Sequence, residues 1–217
     1  MITVWCVCVG SGYSHDEVRI LQAQVARNLS RPHKFIALTD RQIDGVECLI
    51  PDEIWPGWWS KILLFRYGAT EQNLYLDLDS VVVGDLAPLL SDQLSAPANW
   101  AQSGHGGVQS SVMAWTGDYS HIADAFNPKL LKDDPRHPFG RYNNTDWWGD
   151  QGFLTGLLGE PGAGKIKPMA GVYSYRYHCQ NGPPSDASVV AFHGIPKPVE
   201  VNEEWVLKAR SFTTTVG

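Results

Sequence analysis

The sequence feature that most constrains the fold is an apolar run over residues 73–83 that contains two aspartates, Asp77 and Asp79. The run predicts a β-strand, and because strand side chains alternate between faces, both aspartates lie on the same face. Carboxylates two positions apart are separated by roughly 6.5–7 Å along the backbone, a gap that suits one hard cation between them. The alternative is a polar turn that closes the strand. Aspartate is disfavoured inside strands, which favours a functional role.

Length, composition and charge narrow the class of protein. The chain has 217 residues, enough for one substantial hydrophobic core, and its 43% hydrophobic and 18% charged content is typical of a globular protein. A formal charge of −6 and the lack of a Lys/Arg run argue against general nucleic-acid binding. No internal repeat or linker stands out, so we expect one domain over residues 1–217.

The cysteine pattern indicates a reducing compartment. Cys6 and Cys8 lie on one face of a predicted strand and are poorly placed for a disulfide, while Cys48 and Cys179 are isolated. The chain begins without the basic and apolar regions of a signal peptide, and no apolar run approaches membrane-spanning length. We therefore expect a cytoplasmic protein without a transmembrane segment.

The order of the predicted elements indicates a mostly parallel sheet. Residues 2–9 are an apolar run typical of a buried strand, and Ser14 and Glu17 then fit a capping box at the start of a helix. Further strands are predicted over 34–38 and 46–50, which gives a strand–helix–strand unit. Ligands of such sheets bind at the carboxyl ends of strands. This places residues 9–13, Asp40 and the two aspartates on one edge.

A lysine precedes the acidic strand. Ser60 is suited to cap a short helix over 61–67 that ends at Gly68. Lys61 would then lie at the positive end of that helix, where it would bind a phosphate or a sugar oxygen. A surface lysine without a ligand is equally compatible with the pattern.

The second half of the chain adds further candidates. A strand is predicted over 108–115, whereas 127–144 is rich in Pro, Asn and charge and is a candidate acceptor loop or lid. Asp150 and Gln151 lead into a short helix over 152–158. After a last predicted strand, the residues His193, Gly194, Ile195, Pro196 and Lys197 follow in order.

Two carboxylates and one imidazole are a suitable ligand set for Mn²⁺, with positions left for diphosphate oxygens. A lone histidine is more often structural, but a glycine, two prolines and a lysine fix the loop of His193. Lys197 would reach the same phosphates as a point charge.

With these motifs, the sequence resembles the metal-dependent glycosyltransferases of the GT-A fold, most closely family 8, which includes glycogenin and bacterial lipopolysaccharide galactosyltransferases. The resemblance is carried by Trp59-Ser60-Lys61, by residues 75–86 and by the His193/Lys197 motif. It implies an α/β, Rossmann-like, mixed and mostly parallel sheet flanked by helices. The implied reaction moves a sugar from a nucleotide-diphosphate sugar, expected to be a UDP-sugar, to a hydroxyl acceptor with retention of configuration. The acceptor would be a glycan, a lipid-linked or a small molecule.

The resemblance also implies roles for single residues and a Mn²⁺ or Mg²⁺ cofactor. Asp77, Asp79 and His193 would ligate the metal, and Asp150 and Gln151 would lie beside the reacting bond. The residues implied to bind the donor nucleotide, its diphosphate or its sugar are Val9, Gly10, Ser11, Tyr13, Asp40, Lys61, Asp77, Leu78, Gln109, Gly194 and Lys197. Trp147 and Trp148, together with residues 127–144, would form a stacking wall for the acceptor or, equally, part of the core.

The chain departs from the family pattern at several points. Gln109-Ser110-Ser111 replaces the family's Asn-Ala-Gly or Asn-Ser-Gly, the final motif is compressed, and a long membrane-associating tail is lacking. Two other classes also remain. Residues 77–81 fit the D-x-D-x-[TV] motif of haloacid dehalogenase-like phosphatases, although that motif normally ends the first strand of its fold. The other class is a non-catalytic nucleotide-sugar or glycan-binding module.

Overall fold

The first strand of the chain lies inside the main sheet. The computed structural model describes residues 1–69, 71–100, 107–134, 137–143 and 149–212. Strand β1 pairs in parallel with both β2 and β4, and β2 pairs in parallel with β3. Strand β4 pairs antiparallel with β7, so the seven-stranded sheet has the order β10-β6-β7-β4-β1-β2-β3. The strands are β1 Ile2–Cys8, β2 His33–Thr39, β3 Glu47–Leu49, β4 Gln72–Leu76, β5 Ser80–Val82, β6 Ser95–Ala96, β7 Val112–Thr116, β8 Leu131–Asp134, β9 His137–Tyr142, β10 Lys167–Pro168, β11 Val172–Ser174 and β12 Val189–Ala191.

Helices cover both faces of this sheet. Alternate residues of β1 divide between two buried clusters: Val4 and Cys6 pack with apolar residues of α1, and Trp5 packs with those of the helices on the other face. The α-helices are α1 His15–Asn28, α2 Leu64–Tyr67, α3 Ser120–Asp124, α4 Gly149–Leu158, α5 Tyr175–His178 and α6 Glu204–Arg210, and the 3₁₀ helices are Gly57–Leu63, Ala87–Leu89, Pro128–Leu130 and Pro198–Glu200.

A second sheet of three strands brings distant parts of the chain together. It has the order β11-β12-β5, and β12 pairs antiparallel with β5 so that Ala191 is opposite Ser80. Beyond this pair, the backbone N–H of Phe192 donates to the carbonyl of Asp79 at 3.1 Å. The segment that begins at His193 therefore leaves the sheet directly beside the two aspartates.

The predicted start of the first helix is confirmed. Ser14 is the N-cap of α1, and its hydroxyl accepts a hydrogen bond from the backbone N–H of Glu17 at 3.4 Å. The four cysteines are free, and Cys6, Cys8 and Cys179 are buried. Among the described helices, none is both long and apolar enough to cross a bilayer.

The helix predicted at 61–67 is wrong in its start. Its first turns are 3₁₀ and begin at Gly57, and the hydroxyl of Ser60 donates to the carbonyl of Trp55 instead of capping a helix. Lys61 is therefore inside the helical segment rather than at its positive end. The region 127–144 also differs from the predicted irregular loop, because β8 and β9 form an antiparallel hairpin in it.

Helix α1 is joined to the second sheet by a buried side chain. Gln24 is 1% exposed, and its Oε1 accepts a hydrogen bond from the backbone N–H of Val82 at 2.7 Å. Val82 is also buried, so no water replaces this acceptor when the glutamine is changed.

We expect Gln24→Leu to lower the free energy of unfolding by about 1–3 kcal/mol, because it leaves the buried N–H of Val82 without an acceptor. Urea denaturation measures the change. Gln22→Leu, on the same helix, is the matched control, since the Gln22 amide makes only a long 3.5 Å contact with the carbonyl of Gly45 in the loop before β3. Equal losses in the two variants would contradict a specific role of the Gln24–Val82 bond.

Candidate active site

A cavity of about 720 Å³ lies at the carboxyl ends of β1 and β4, the edge that the sequence predicted. All of the predicted site residues line it except Asp40 and Gln109. Those that line it are Val9, Gly10, Ser11, Tyr13, Lys61, Asp77, Leu78, Asp79, Asp150, Gln151, His193, Gly194 and Lys197. Gly12, which is within the predicted range 9–13, also lines it. Lining residues that the sequence did not single out for the site include Trp58, Tyr75, Ser111 and Gly149. Of these, Tyr75 could have been predicted from the sequence, because it is two residues before Asp77 and would share its face on a strand.

The two aspartates lie in a turn rather than in a strand, so their predicted strand spacing is wrong. Strand β4 ends at Leu76, the N–H of Asp77 donates to the Ser111 carbonyl at 2.8 Å, and the N–H of Ser80 donates to the Asp77 carbonyl at 3.0 Å. We call residues 77–79 the aspartate turn. Within it Leu78 is buried in the core, which anchors the turn while both carboxyl groups reach the cavity.

Lys61 joins Asp77 to Asp150. Its side chain is buried, and its ammonium lies 3.1 Å from Asp77 Oδ1, 3.2 Å from Asp150 Oδ2 and 3.2 Å from the hydroxyl of Ser110. An ammonium has three N–H groups, and these three residues use all of them. Burial by itself lowers the pKa of Lys61, but the charges of Asp150 and Asp77 raise it above its ordinary value. Lys61 is therefore a permanent cation between two acids in this structure.

Asp150 is held in the first turn of α4 with its carboxylate inside the protein. It is 5% exposed, accepts a hydrogen bond from the Ser110 hydroxyl and pairs with Lys61. Burial raises the pKa of Asp150 above its usual value, although Lys61 and Ser110 oppose the shift. The position at the N-terminus of a ten-residue helix also favours a negative charge.

Gln109 does not line the cavity but holds two residues that do, Ser111 and Gln151. Its Oε1 accepts hydrogen bonds from the backbone N–H of Ser111 at 3.0 Å, the Ser111 hydroxyl at 2.9 Å and the Nε2 of Gln151 at 2.8 Å. This fixes the amide of Gln151 with its nitrogen turned toward Gln109. Gln109 therefore supports Gln151 and does not line the cavity, whereas the sequence predicted that it contacts the ligand.

Asp79 is bound on the opposite side of the cavity. Its Oδ2 accepts hydrogen bonds from Lys197 at 2.6 Å and from the Tyr13 hydroxyl at 2.9 Å. Burial and then the charge of Asp77 raise the pKa of Asp79, and Lys197 opposes them. The pKa of Tyr13 is raised by burial and then by Asp79, so its hydroxyl stays protonated and donates.

His193 stands between aromatic rings. The ring of Trp100 stacks on it at 5.9 Å and the ring of Tyr177 at 5.7 Å, and its Nε2 lies 2.6 Å from the buried hydroxyl of Ser174. Burial and then the guanidinium of Arg176 lower the pKa of His193, so the neutral imidazole is favoured. A neutral imidazole is the form that binds metals.

Asp40 shapes the cavity edge without lining the cavity. Its Oδ2 accepts from the N–H of Gly10 at 3.0 Å, and its Oδ1 pairs with Arg41 at 3.0 Å. Arg41 in turn donates to the Gly10 carbonyl at 2.6 Å. Although slight burial acts to raise it, the hydrogen bonds from Arg41 and Gly10 hold the pKa of Asp40 below its ordinary value. Asp40 thus fixes the turn that follows β1.

The predicted metal ligands share the cavity wall but do not converge. Within the described ranges, no three His, Cys, Asp or Glu side chains are close enough together to hold one metal ion. The cationic partners of the two aspartates are Lys61 and Lys197 instead. Of the predicted acceptor wall, Trp147 and Trp148 lie outside the described residues.

Comparison with known proteins gives matches in fold only. No protein-family model and no curated protein matches the sequence. The solved structure of the galactosyltransferase LgtC in complex with donor and acceptor sugar analogs matches with a TM-score of 0.60 and 14% identity over 99% of this chain and 97% of that chain. The glycosyltransferase GlyE of Streptococcus pneumoniae TIGR4 matches with a TM-score of 0.61 and 15% identity over 91% of this chain and 56% of that chain. The bifunctional glycosyltransferase WbbM matches with a TM-score of 0.57 and 11% identity over 91% of this chain and 46% of that chain. The predicted GT-A fold is confirmed.

The Lys61 bridge predicts a strong coupling between two residues. Lys61→Met keeps the apolar stem but leaves Asp77 and Asp150 without their shared cation, and we expect it to cost about 3 kcal/mol of unfolding free energy. Adding Asp150→Asn removes one of the two uncompensated charges, so the double variant should lose less than the sum of the single changes. Denaturation at pH 8 measures all three, with Lys208→Met as the exposed control. Additive losses would contradict the bridge.

The raised pKa of Asp150 predicts a pH dependence of stability. Well below about pH 4, the ordinary pKa of an aspartate, the carboxyl is protonated in the folded and unfolded chains alike. As pH rises through the folded-state pKa, ionisation of the buried group costs folding free energy. The unfolding free energy of Asp150→Asn minus that of the wild type should therefore grow between pH 4 and 8, measured in urea with EDTA. The control is Asp92→Asn, whose side chain is 80% exposed, and the growth should be larger for Asp150→Asn than for this variant. No growth for Asp150→Asn beyond that of the control would contradict the prediction.

Proposed function

We propose that this protein is a glycosyltransferase that moves a sugar from a nucleotide-diphosphate sugar to a hydroxyl group of an acceptor. One observation carries the proposal: within a GT-A fold, a single cavity is lined by the aspartate turn, by Asp150 and Gln151 at the start of α4, and by His193 and Lys197. Acidic, amide, imidazole and ammonium groups are the chemistry that a charged sugar donor requires.

The ligand classes follow from the same cavity. Its volume of about 720 Å³ is in the range of pockets that bind small organic ligands. LgtC was solved with donor and acceptor sugar analogs, and we assign the same two classes of ligand to this chain. A UDP-sugar is the first donor to test, and a glycan, a lipid-linked or a small-molecule hydroxyl compound is the acceptor.

The residue types in the cavity fit a divalent cation. Asp77, Asp79 and His193 do not converge in this structure, so as described they do not form a metal site. We propose that they would hold Mn²⁺ or Mg²⁺ once Asp79 gives up its contact with Lys197, since carboxylates and a neutral imidazole are suitable donors and a cation would offset the cost of ionising the buried Asp79 beside Asp77. Bound there, the ion would offset the negative charge that develops on the leaving diphosphate. Lys197, which now contacts Asp79, would exchange that contact for a phosphate oxygen.

Asp150 and Gln151 would act on the sugar. Lys61 and Ser110 hold the Asp150 carboxylate in place, where its negative charge favours an oxocarbenium-like sugar. The Nε2 of Gln151 donates to Gln109, so its carbonyl oxygen remains to accept a hydrogen bond from a substrate hydroxyl. Among the matching structures is an active-site mutant of LgtC in which a glutamine is replaced, which supports a role for a glutamine in such a cavity. Retention of configuration stays a prediction from the resemblance.

The fold does not support the alternative hypothesis of a haloacid dehalogenase-like phosphatase. The aspartate turn follows β4, and the fold is that of the GT-A glycosyltransferases rather than one in which this motif ends the first strand. A non-catalytic nucleotide-sugar-binding module has the same fold and cavity as the enzyme, so the assay below separates these two functions.

The test begins with binding. We expect a nucleoside diphosphate, first UDP and then GDP and ADP, to raise the melting temperature in the presence of Mn²⁺, because a ligand of the folded state stabilises it by mass action. With the matching nucleotide sugars, release of nucleoside diphosphate should be detected by coupled assay or mass spectrometry. Asp79→Ala should lower this turnover at least 100-fold, while Asp85→Asn, at an exposed position just beyond β5, should retain it.

Three outcomes separate the classes. Turnover that survives Asp79→Ala would contradict the proposed role of the aspartate turn. Binding of a nucleoside diphosphate without hydrolysis or transfer of any sugar would favour the non-catalytic module. No stabilisation by any nucleoside diphosphate, with or without Mn²⁺, would overturn both.

A further inference from the structure

The exposed guanidinium of Arg176 lies at the rim of the cavity. Arg176 is in α5, the short helix that follows β11, and β11 pairs with β12 beside the segment that begins at His193. A methyl group built on Gly194, which lines the cavity, would be 3.5 Å from the Nη1 of Arg176. Gly194 also has a φ of +82°, a backbone conformation that glycine adopts without strain. The chain therefore brings the guanidinium against the backbone of the cavity wall.

Among the described residues Arg176 has no acidic partner, unlike the lysines that line the cavity. Lys61 pairs with Asp77 and Asp150, and Lys197 pairs with Asp79. In the part of the chain that the structure describes, Arg176 makes neither an ion pair nor a side-chain hydrogen bond. An unpaired guanidinium keeps its five N–H groups available for a ligand.

The charges around the cavity explain why such a group is needed. Three carboxylates, those of Asp77, Asp79 and Asp150, line it together with two ammonium groups that are already paired with them. An incoming diphosphate adds further negative charge to this acidic wall. Arginine binds phosphate oxygens through two parallel N–H bonds, which makes it well suited to receive the added charge.

We propose that Arg176 is a binding residue for the anionic diphosphate of the donor, acting beside Lys197 from across Gly194. The inference rests on the proposed function and extends it to a residue outside the predicted motifs. It also predicts that the contribution of Arg176 depends on the phosphates and not on the base or the sugar.

The experiment compares ligands with and without phosphate. We would measure dissociation constants of UDP, GDP, ADP, inorganic pyrophosphate and the matching nucleosides by calorimetry with Mn²⁺, for wild type, Arg176→Gln and Arg176→Lys. For the diphosphate that binds the wild type most tightly, we expect Arg176→Gln to weaken binding about tenfold, the effect of losing a charge-assisted contact. The dissociation constant of Arg176→Lys for this diphosphate should lie between those of the wild type and Arg176→Gln. The dissociation constants of the nucleosides should not change. Arg31→Gln is the matched control. Arg31 is exposed and lies before the amino end of β2, at the edge of the sheet opposite the cavity.

The outcomes distinguish this inference from the proposed function. If the wild type binds a diphosphate and Arg176→Gln binds it equally well, the role of Arg176 is overturned and the glycosyltransferase proposal stands. If Arg176→Gln weakens nucleoside and diphosphate binding alike, Arg176 only supports the fold of the rim, and the inference also fails. If the wild type binds no diphosphate or pyrophosphate, the proposed function fails and takes the inference with it.

Discussion

The site depends on the antiparallel pairing of β5 with β12. That pairing, continued by the hydrogen bond from the N–H of Phe192 to the carbonyl of Asp79, fixes where the chain emerges with His193 and Lys197. Without it the aspartate turn would still follow β4, but it would face no imidazole and no second ammonium. The register of such a sheet is specified by its buried side chains, here Val81 with Val190 and Phe192, so the relative position of the two segments is set by the sheet and not by the charged groups in the cavity.

The cavity is a balance of opposite charges in a largely buried setting. Lys61 holds two carboxylates on one side and Lys197 holds a third on the other. Each ammonium lowers the cost of burying its acid, yet the raised pKa values of Asp79 and Asp150 show that the compensation is incomplete. A site built in this way favours the entry of further positive charge. This is the electrostatic reason for proposing that a metal ion binds here and that a diphosphate needs further cations to enter.

The sequence predicted much of this arrangement because the evidence was local. The apolar run of β1, the cap at Ser14 and the motif residues at the ends of strands all depend on neighbouring positions. The failures have other causes. Strand β4 stops at Leu76 because residues 77–80 turn, with the N–H of Ser80 donated to the carbonyl of Asp77, and the hairpin of β8 and β9 has no apolar alternation that would predict it. Likewise, nothing near Lys61 in sequence indicates that acids 16 and 89 residues away neutralise it.

The residues that meet in the cavity are far apart in the sequence, and this affects the order in which the cavity forms during synthesis. Tyr13 and Lys197, which contact each other and Asp79, are 184 residues apart. A ribosome that has released the first half of the chain has therefore produced the aspartate turn but not the strand and loop that complete the cavity. Closing such a long loop is slow relative to forming local helices. The nascent protein consequently passes through a stage in which much of its main sheet can form while the cavity still lacks His193 and Lys197.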